Sequence, residues 1–164
     1  MCEIFSQSEV VMNTTQVIGA LNKAVALENA ATLQYKQHAL LVRGLWRKVF
    51  ADFFASESRN ALEHACKFGQ KIVALGGVPT VEVGSTVRQS LDLQEMLRLD
   101  LALEHAAMQA YLEAWALADD NVALRTMLED HIESEQRDIE ELEMYLDMVQ
   151  TAAVAPEVHL QVVK

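Results

Sequence analysis

Residues 26–35 read ALENAATLQY, and residues 102–111 read ALEHAAMQAY. Six of the ten positions coincide: Ala, Leu, Glu, Ala, Ala and Tyr. Each copy sets one glutamate, Glu28 or Glu104, in an otherwise apolar helical stretch, with Tyr35 or Tyr111 two turns further on. A lone carboxylate is costly to bury, because water solvates its charge far better than a protein interior does. The repetition asks for a partner that offsets this cost twice.

Working outward, the apolar positions recur at three and four residues, the period of an amphipathic helix. One seam reads Leu21, Val25, Glu28, Ala31, Tyr35, Ala39, and a second Phe50, Phe54, Glu57, Ala61, His64, Phe68, Ile72. A third reads Leu97, Leu101, Glu104, Met108, Tyr111, Trp115, and a fourth Leu124, Met127, His131, Glu135, Asp138, Leu142, Tyr145, Val149. Helices are expected over about 13–43, 46–75, 91–118 and 122–151. Gly44 and Gly76-Gly77-Val78-Pro79 end the first two, and the Asp119-Asp120-Asn121 turn caps the fourth. Residues 1–12 are read as an N-terminal extension and 152–164 as a tail, leaving one helical domain over 13–151.

Two of the connections are short, so helices one and two form a hairpin, as do three and four. The third, TVEVGSTVRQS at 80–90, carries no helical period. Extended, the stretch 76–90 reaches about 50 Å at about 3.3 Å per residue. A helix of roughly 28 residues is about 42 Å long. The connection is therefore long enough to run the length of the bundle, which suits parallel second and third helices. Plain up-and-down topology would need only a short loop, though loop length by itself does not exclude it. The predicted fold class is all-α, a four-helix bundle with one long crossover.

Composition narrows the function. Hydrophobic residues make up 51% of a 164-residue chain with only two prolines and six glycines, which suits one packed helical domain rather than a disordered chain. The net charge of −11 argues against phosphate-mediated nucleic-acid binding and favours attraction of cations. Cys2 and Cys66 form no CxxC pair, so neither a disulfide framework nor a zinc knuckle is expected, and Cys66 is read as a reduced, packed thiol. Neither a secretory leader nor a membrane-length apolar run is visible, and the expected location is the cytoplasm.

Every seam is apolar at its ends and carries a carboxylate near its middle. SESRN at 56–60 faces an echo in SEQRD at 134–138, so the two hairpins read as duplicated halves that pair Glu28 with Glu104 and Glu57 with Glu135. Converging carboxylates repel unless a cation sits between them, and oxygen-rich sites with one or two imidazoles suit iron or manganese. His64 reads as a ligand or a supporting group. His131, one turn before Glu135, leaves both readings open. Tyr35 and Tyr111 read as core packing within reach of the site. His38 and His105 fall beside the seams and read as surface or partner-facing.

These pieces resemble the ferritin-like superfamily, in its bacterioferritin and Dps-like branches, over about residues 14–150. The specific stretches are ALENAATLQY, EHACKFGQKIVALGGVP at 63–79, and LRLDLALEHA at 97–106. The resemblance implies a dinuclear iron centre, with manganese as a second candidate metal, that oxidises Fe(II) with O2 or H2O2. It also implies homo-oligomeric, cage-forming subunits. By position, Glu28 and Glu104 match the terminal glutamates, His64 the histidine of the second helix, and Glu135 the bridging glutamate of the fourth. The candidate metal set is Glu28, Glu57, His64, Glu104, Glu135 and Asp138. Two positions depart from the usual Glu-x-x-His motifs. Ala61 stands where the other bridging glutamate belongs, and Asp138 where a histidine belongs. Glu57, one turn before Ala61, is a candidate substitute. Leu62 occupies the place of the haem methionine, so no haem is expected, and Dps-type DNA binding is disfavoured by the acidic balance. Ferroxidase activity depends on the variant site being competent. Two rivals share the bundle: a non-storage diiron or dimanganese oxidase or peroxide scavenger, and a structural or hetero-oligomeric subunit with a degenerate site.

Overall fold

The computed structural model describes residues 7–118 and 121–154. Four helices follow one another: α1 (Gln7–Leu41), α2 (Arg47–Ala74), α3 (Leu93–Leu117) and α4 (Val122–Val154). No strand occurs among the described residues. Helix α1 begins at Gln7 rather than at residue 13, and α4 continues past residue 151. Asn13-Thr14-Thr15 therefore lies inside α1 instead of capping it. Such residues cost a helix interior only about 0.7 kcal/mol or less each, which a long packed helix absorbs.

The helix ends follow local chemistry. Gly76 takes φ 82° after α2. Its N–H donates to Val73 O at 2.9 Å, and Gly77 N–H donates to Ile72 O at 2.9 Å, so the last carbonyls of α2 are satisfied by a left-handed glycine stop. The Asp92 carboxylate accepts from Glu95 N at 2.7 Å and caps α3. The Asn121 side chain accepts from Leu124 N at 3.1 Å and caps α4; Asp119 and Asp120 lie outside the described residues.

Side-chain pairs give the directions. His38 meets Asp100 and Glu28 meets Tyr111, so α1 and α3 are antiparallel. With α2 returning against α1, α2 and α3 run parallel, the arrangement that the long connection suits. The core follows the four seams: Leu21, Phe54, Phe68, Leu97, Leu124 and Leu142 are fully buried, and Leu128 joins them from α4. Cys66 corrects an expectation: it is exposed, because the buried stripe of α2 passes through Ala61, Ala65, Phe68 and Ile72 and leaves residue 66 off to one side.

The crossover is held to α1 by backbone-directed hydrogen bonds. The Asn22 amide donates to Val78 O at 3.2 Å and accepts from Thr80 N at 2.7 Å, and Asn29 donates to Glu82 O at 2.9 Å. Gly84 N–H donates to Ala26 O at 2.7 Å. A Cβ on Gly84 would lie 2.9 Å from the Ala26 carbonyl carbon, so the close approach requires glycine.

The far end of the crossover is anchored by Gln34. Its amide donates to Arg88 O and accepts from Arg88 N, both at 2.7 Å, which fixes the amide orientation. The same NH2 group lies 2.7 Å from His38 Nε2, so that nitrogen accepts. The ring proton then sits on Nδ1 and donates to Asp100 Oδ2 at 2.9 Å. His38 and Asp100 are fully buried, which corrects the expectation of a surface histidine. Burial pushes the Asp100 carboxyl up to about 6, with the hydrogen bond from His38 offsetting part of the effect.

Replacing Gly84 by alanine should destabilise the fold by about 1–3 kcal/mol, because the added methyl overpacks against the α1 backbone. A lower denaturant midpoint at unchanged m-value is the expected readout.

Candidate metal centre

All four helices bring side chains to one depth of the bundle. Glu28 from α1, Glu104 from α3 and Glu135 from α4 are buried, and His64 from α2 is nearly so. Ligand-capable atoms of Glu28, His64 and Glu135 all lie within 4.8 Å of one another. His64 Nδ1 is 3.9 Å from Glu28 Oε1.

The repeated tyrosines cross over between the halves. Tyr35 O–H donates to Glu104, and Tyr111 O–H donates to Glu28. Each decamer's tyrosine thus serves the other decamer's glutamate. Burial raises both phenols well above their ordinary value, and the partner carboxylates raise them further, so both keep their protons and act as donors. Tyr111 O–H also lies 3.5 Å from His64 Nδ1.

Burial raises the Glu104 and Glu135 carboxyls; the Glu104 charge pushes Glu135 up further, and the nearby Glu28 charge raises both. One Glu135 oxygen, Oε1, is buried without a hydrogen-bond partner among the described residues. Burial pulls the His64 imidazole down, but Glu28 outweighs this and leaves it raised.

Glu57 and Asp138 stand slightly apart. Both are only partly buried, between α2 and α4, and Glu57 accepts from Asn60 Nδ2 at 3.1 Å. Burial and then Asp138 push Glu57 up to about 7. Glu141 adds to the acidic window and accepts from Tyr145 O–H at 2.6 Å. Ala61 is buried one turn from His64 and supplies no ligand atom. The buried polar residues that sequence reasoning placed elsewhere or did not single out are His38, Asp100 and Gln34. Only Asp100, four residues before Glu104 on the same helical face, left a trace in the spacing.

An oxygen-rich donor set with imidazole, carrying an orphaned buried carboxylate oxygen, fits iron or manganese. The fold and site define a class: a four-helix bundle with a carboxylate–imidazole cluster in its core. Comparison with known proteins agrees. A family model described as a ferritin-like domain matches residues 18–152. A bacterioferritin from Brucella melitensis is 28% identical over 136 residues, covering 82% of this chain and 84% of its own. A nutrient stress-induced DNA-binding protein from Synechococcus is 27% identical over 124 residues, covering 75% of this chain and 57% of its own. A solved structure described as a ferritin-like, diiron-carboxylate protein from Bacillus anthracis superposes with a TM-score of 0.77 at 32% identity, covering 82% of this chain and 97% of that one. The chain belongs to the ferritin family.

Two predictions concern the metal-free protein. Glu57 and the Glu104–Glu135 pair bind protons more tightly folded than unfolded, so folding takes up protons above the ordinary glutamate value of 4.5. Stability should therefore fall as pH rises from about 4.5 through 7, seen as a decreasing melting temperature, and Glu104→Gln should flatten that slope. Tyr35→Phe and Tyr111→Phe should each cost about 1–3 kcal/mol by leaving a buried carboxyl oxygen unpartnered. In a double-mutant cycle with Glu104→Gln, the Tyr35→Phe cost should shrink.

Proposed function

We propose that the chain takes Fe(II) as its substrate at this dinuclear centre, oxidises it with O2 or H2O2, and thereby stores or detoxifies iron. The observation that carries the reading is the convergence of Glu28, His64 and Glu135 within 4.8 Å, with the Glu104 carboxyl also buried in the bundle core. Glu28, His64, Glu104 and Glu135 would hold the metal, with Glu57 and Asp138 alongside. Iron there supplies the electrons that reduce O2 or H2O2.

The chain's own residues have definable parts. Burial favours the protonated forms of Glu104 and Glu135, and a bound cation displaces those protons, so metal uptake is favoured by rising pH. Tyr35 and Tyr111 hold Glu28 and Glu104 in fixed orientation by donating to one oxygen of each. Glu57, Asp138 and Glu141 form an acidic approach between α2 and α4, and a net charge of −11 draws cations toward it.

The relatives support this reading through a bacterioferritin and a diiron-carboxylate protein. The Synechococcus relative's name includes DNA binding, but this chain's acidic balance opposes phosphate contacts, so we assign it no nucleic-acid partner. A homo-oligomer fits the exposed Leu33 and Leu40, seven residues apart on α1, and the exposed Val81 and Val83 of the crossover, which line one groove with Leu33. No described helix is long and apolar enough to cross a membrane, and we infer a cytoplasmic protein. The second reading, a non-storage oxidase or a subunit with a degenerate site, draws on Ala61 and the half-buried Glu57 and Asp138.

Aerobic Fe(II) loading, with metal analysis and native mass, separates these readings. Iron far in excess of a pair of ions per chain is expected, with loss of Fe(II) oxidation in Glu28→Ala and Glu104→Ala. A bound pair without mineral would favour the non-storage oxidase. A folded protein that binds no iron and is indifferent to both substitutions would sink the metal reading and leave the structural subunit.

A further inference from the structure

His131 has no assigned part in the centre, yet its ring is set up to bind metal. It lies one turn before Glu135 on α4 and is buried, with 7% of its surface exposed. Its Nδ1 is 2.6 Å from Met127 O. A carbonyl only accepts, so Nδ1 carries the ring proton, and the neutral ring keeps its lone pair on Nε2. That nitrogen is buried and has no hydrogen-bond partner among the described residues. Buried polar atoms are almost always satisfied, so an orphan here calls for a missing partner.

The surroundings indicate which partner. The His131 ring is 4.9 Å from that of His64, centroid to centroid, and 6.4 Å from that of Tyr111, the phenol bonded to Glu28. Phe68 covers it at 4.8 Å. Were packing its only task, an apolar side chain would fill the place without burying an orphaned nitrogen. Metal-bound imidazoles commonly direct their second nitrogen to a backbone carbonyl, which fixes the tautomer and the ring plane. The His131–Met127 contact has that form.

We propose that His131 is a nitrogen ligand that stands in for the histidine absent at position 138, and that it binds the same metal ion as His64, at the Glu28 end of the centre. The centre is then chemically lopsided. Both imidazoles gather near Glu28 and Tyr111, whereas Tyr35 sits among the carboxylates of Glu104, Asp100 and Glu57. One position is nitrogen-rich, and the other is built of oxygen.

The inference rests on the metal reading above, and the test keeps the two apart. The full-length protein is given one equivalent of Cu(II), and the imidazole nitrogens on the copper are counted by pulsed electron paramagnetic resonance. Two are expected in the unsubstituted protein, one in His131→Gln, one in His64→Gln, and two in His105→Gln. Co(II) affinity should fall about 10–100-fold in His131→Gln. A single imidazole on copper in the unsubstituted protein overturns the assignment of His131 while leaving a metal centre standing, and that count needs no variant to fold. An unchanged count in His131→Gln overturns it equally. A folded, unsubstituted protein that binds neither ion overturns the metal reading, and this inference with it.

Discussion

Two hydrogen bonds between α1 and α3 set the geometry on which the rest depends. Tyr35 donates to Glu104 and Tyr111 donates to Glu28. On each helix the glutamate and tyrosine are seven residues apart, about two turns, and so share a face. Because the helices are antiparallel, each tyrosine arrives opposite the other helix's glutamate. Neither decamer can satisfy its own carboxylate; each is completed by its copy. The bonds orient both glutamates in a region from which water is largely excluded, and they hold the two helices in register.

The other hairpin partners are less symmetric. Helix α4 contributes Glu135, whose carboxyl is raised by burial and by Glu104, and α2 contributes His64 against Glu28. The site is thus a cluster of groups that are mutually destabilising when ionised and metal-free. Protonation relieves the repulsion at low pH, and a cation relieves it when one binds. Proton and metal compete for the same carboxylates, which ties metal affinity to pH. Around this centre, Ala61 removes one carboxylate, while Glu57 and Asp138 leave theirs half-buried between α2 and α4.

The crossover solves a separate problem. Parallel α2 and α3 require a connection along the bundle, and a non-helical segment there exposes backbone groups with no sheet to join. Asn22, Asn29 and Gln34, successive along the length of α1, satisfy several of those groups from their side chains, and Gly84 lets the connection touch the α1 backbone. Gln34 then passes the anchoring on to His38 and Asp100, which carries it into α3 above Glu104. The crossover and the site are therefore joined through α3.

Much of this was legible in the chain itself. The three-and-four spacing gave four helices, the length of 76–90 gave the parallel pair, and the repeated decamers singled out Glu28 and Glu104, because helical periodicity is a local property that the sequence carries directly. His38 was misread because its burial comes from the crossover and α3 together, neither of which lies near it in sequence. Cys66 was misread because apolar neighbours along the chain do not tell which way a helix faces. The tertiary structure alone decided that the tyrosines exchange partners, that Glu104 and Glu135 are buried close enough to raise the Glu135 carboxyl, and that the His131 nitrogen is left unpartnered. Those are distances between residues far apart in the chain. Packing sets them, and local spacing does not.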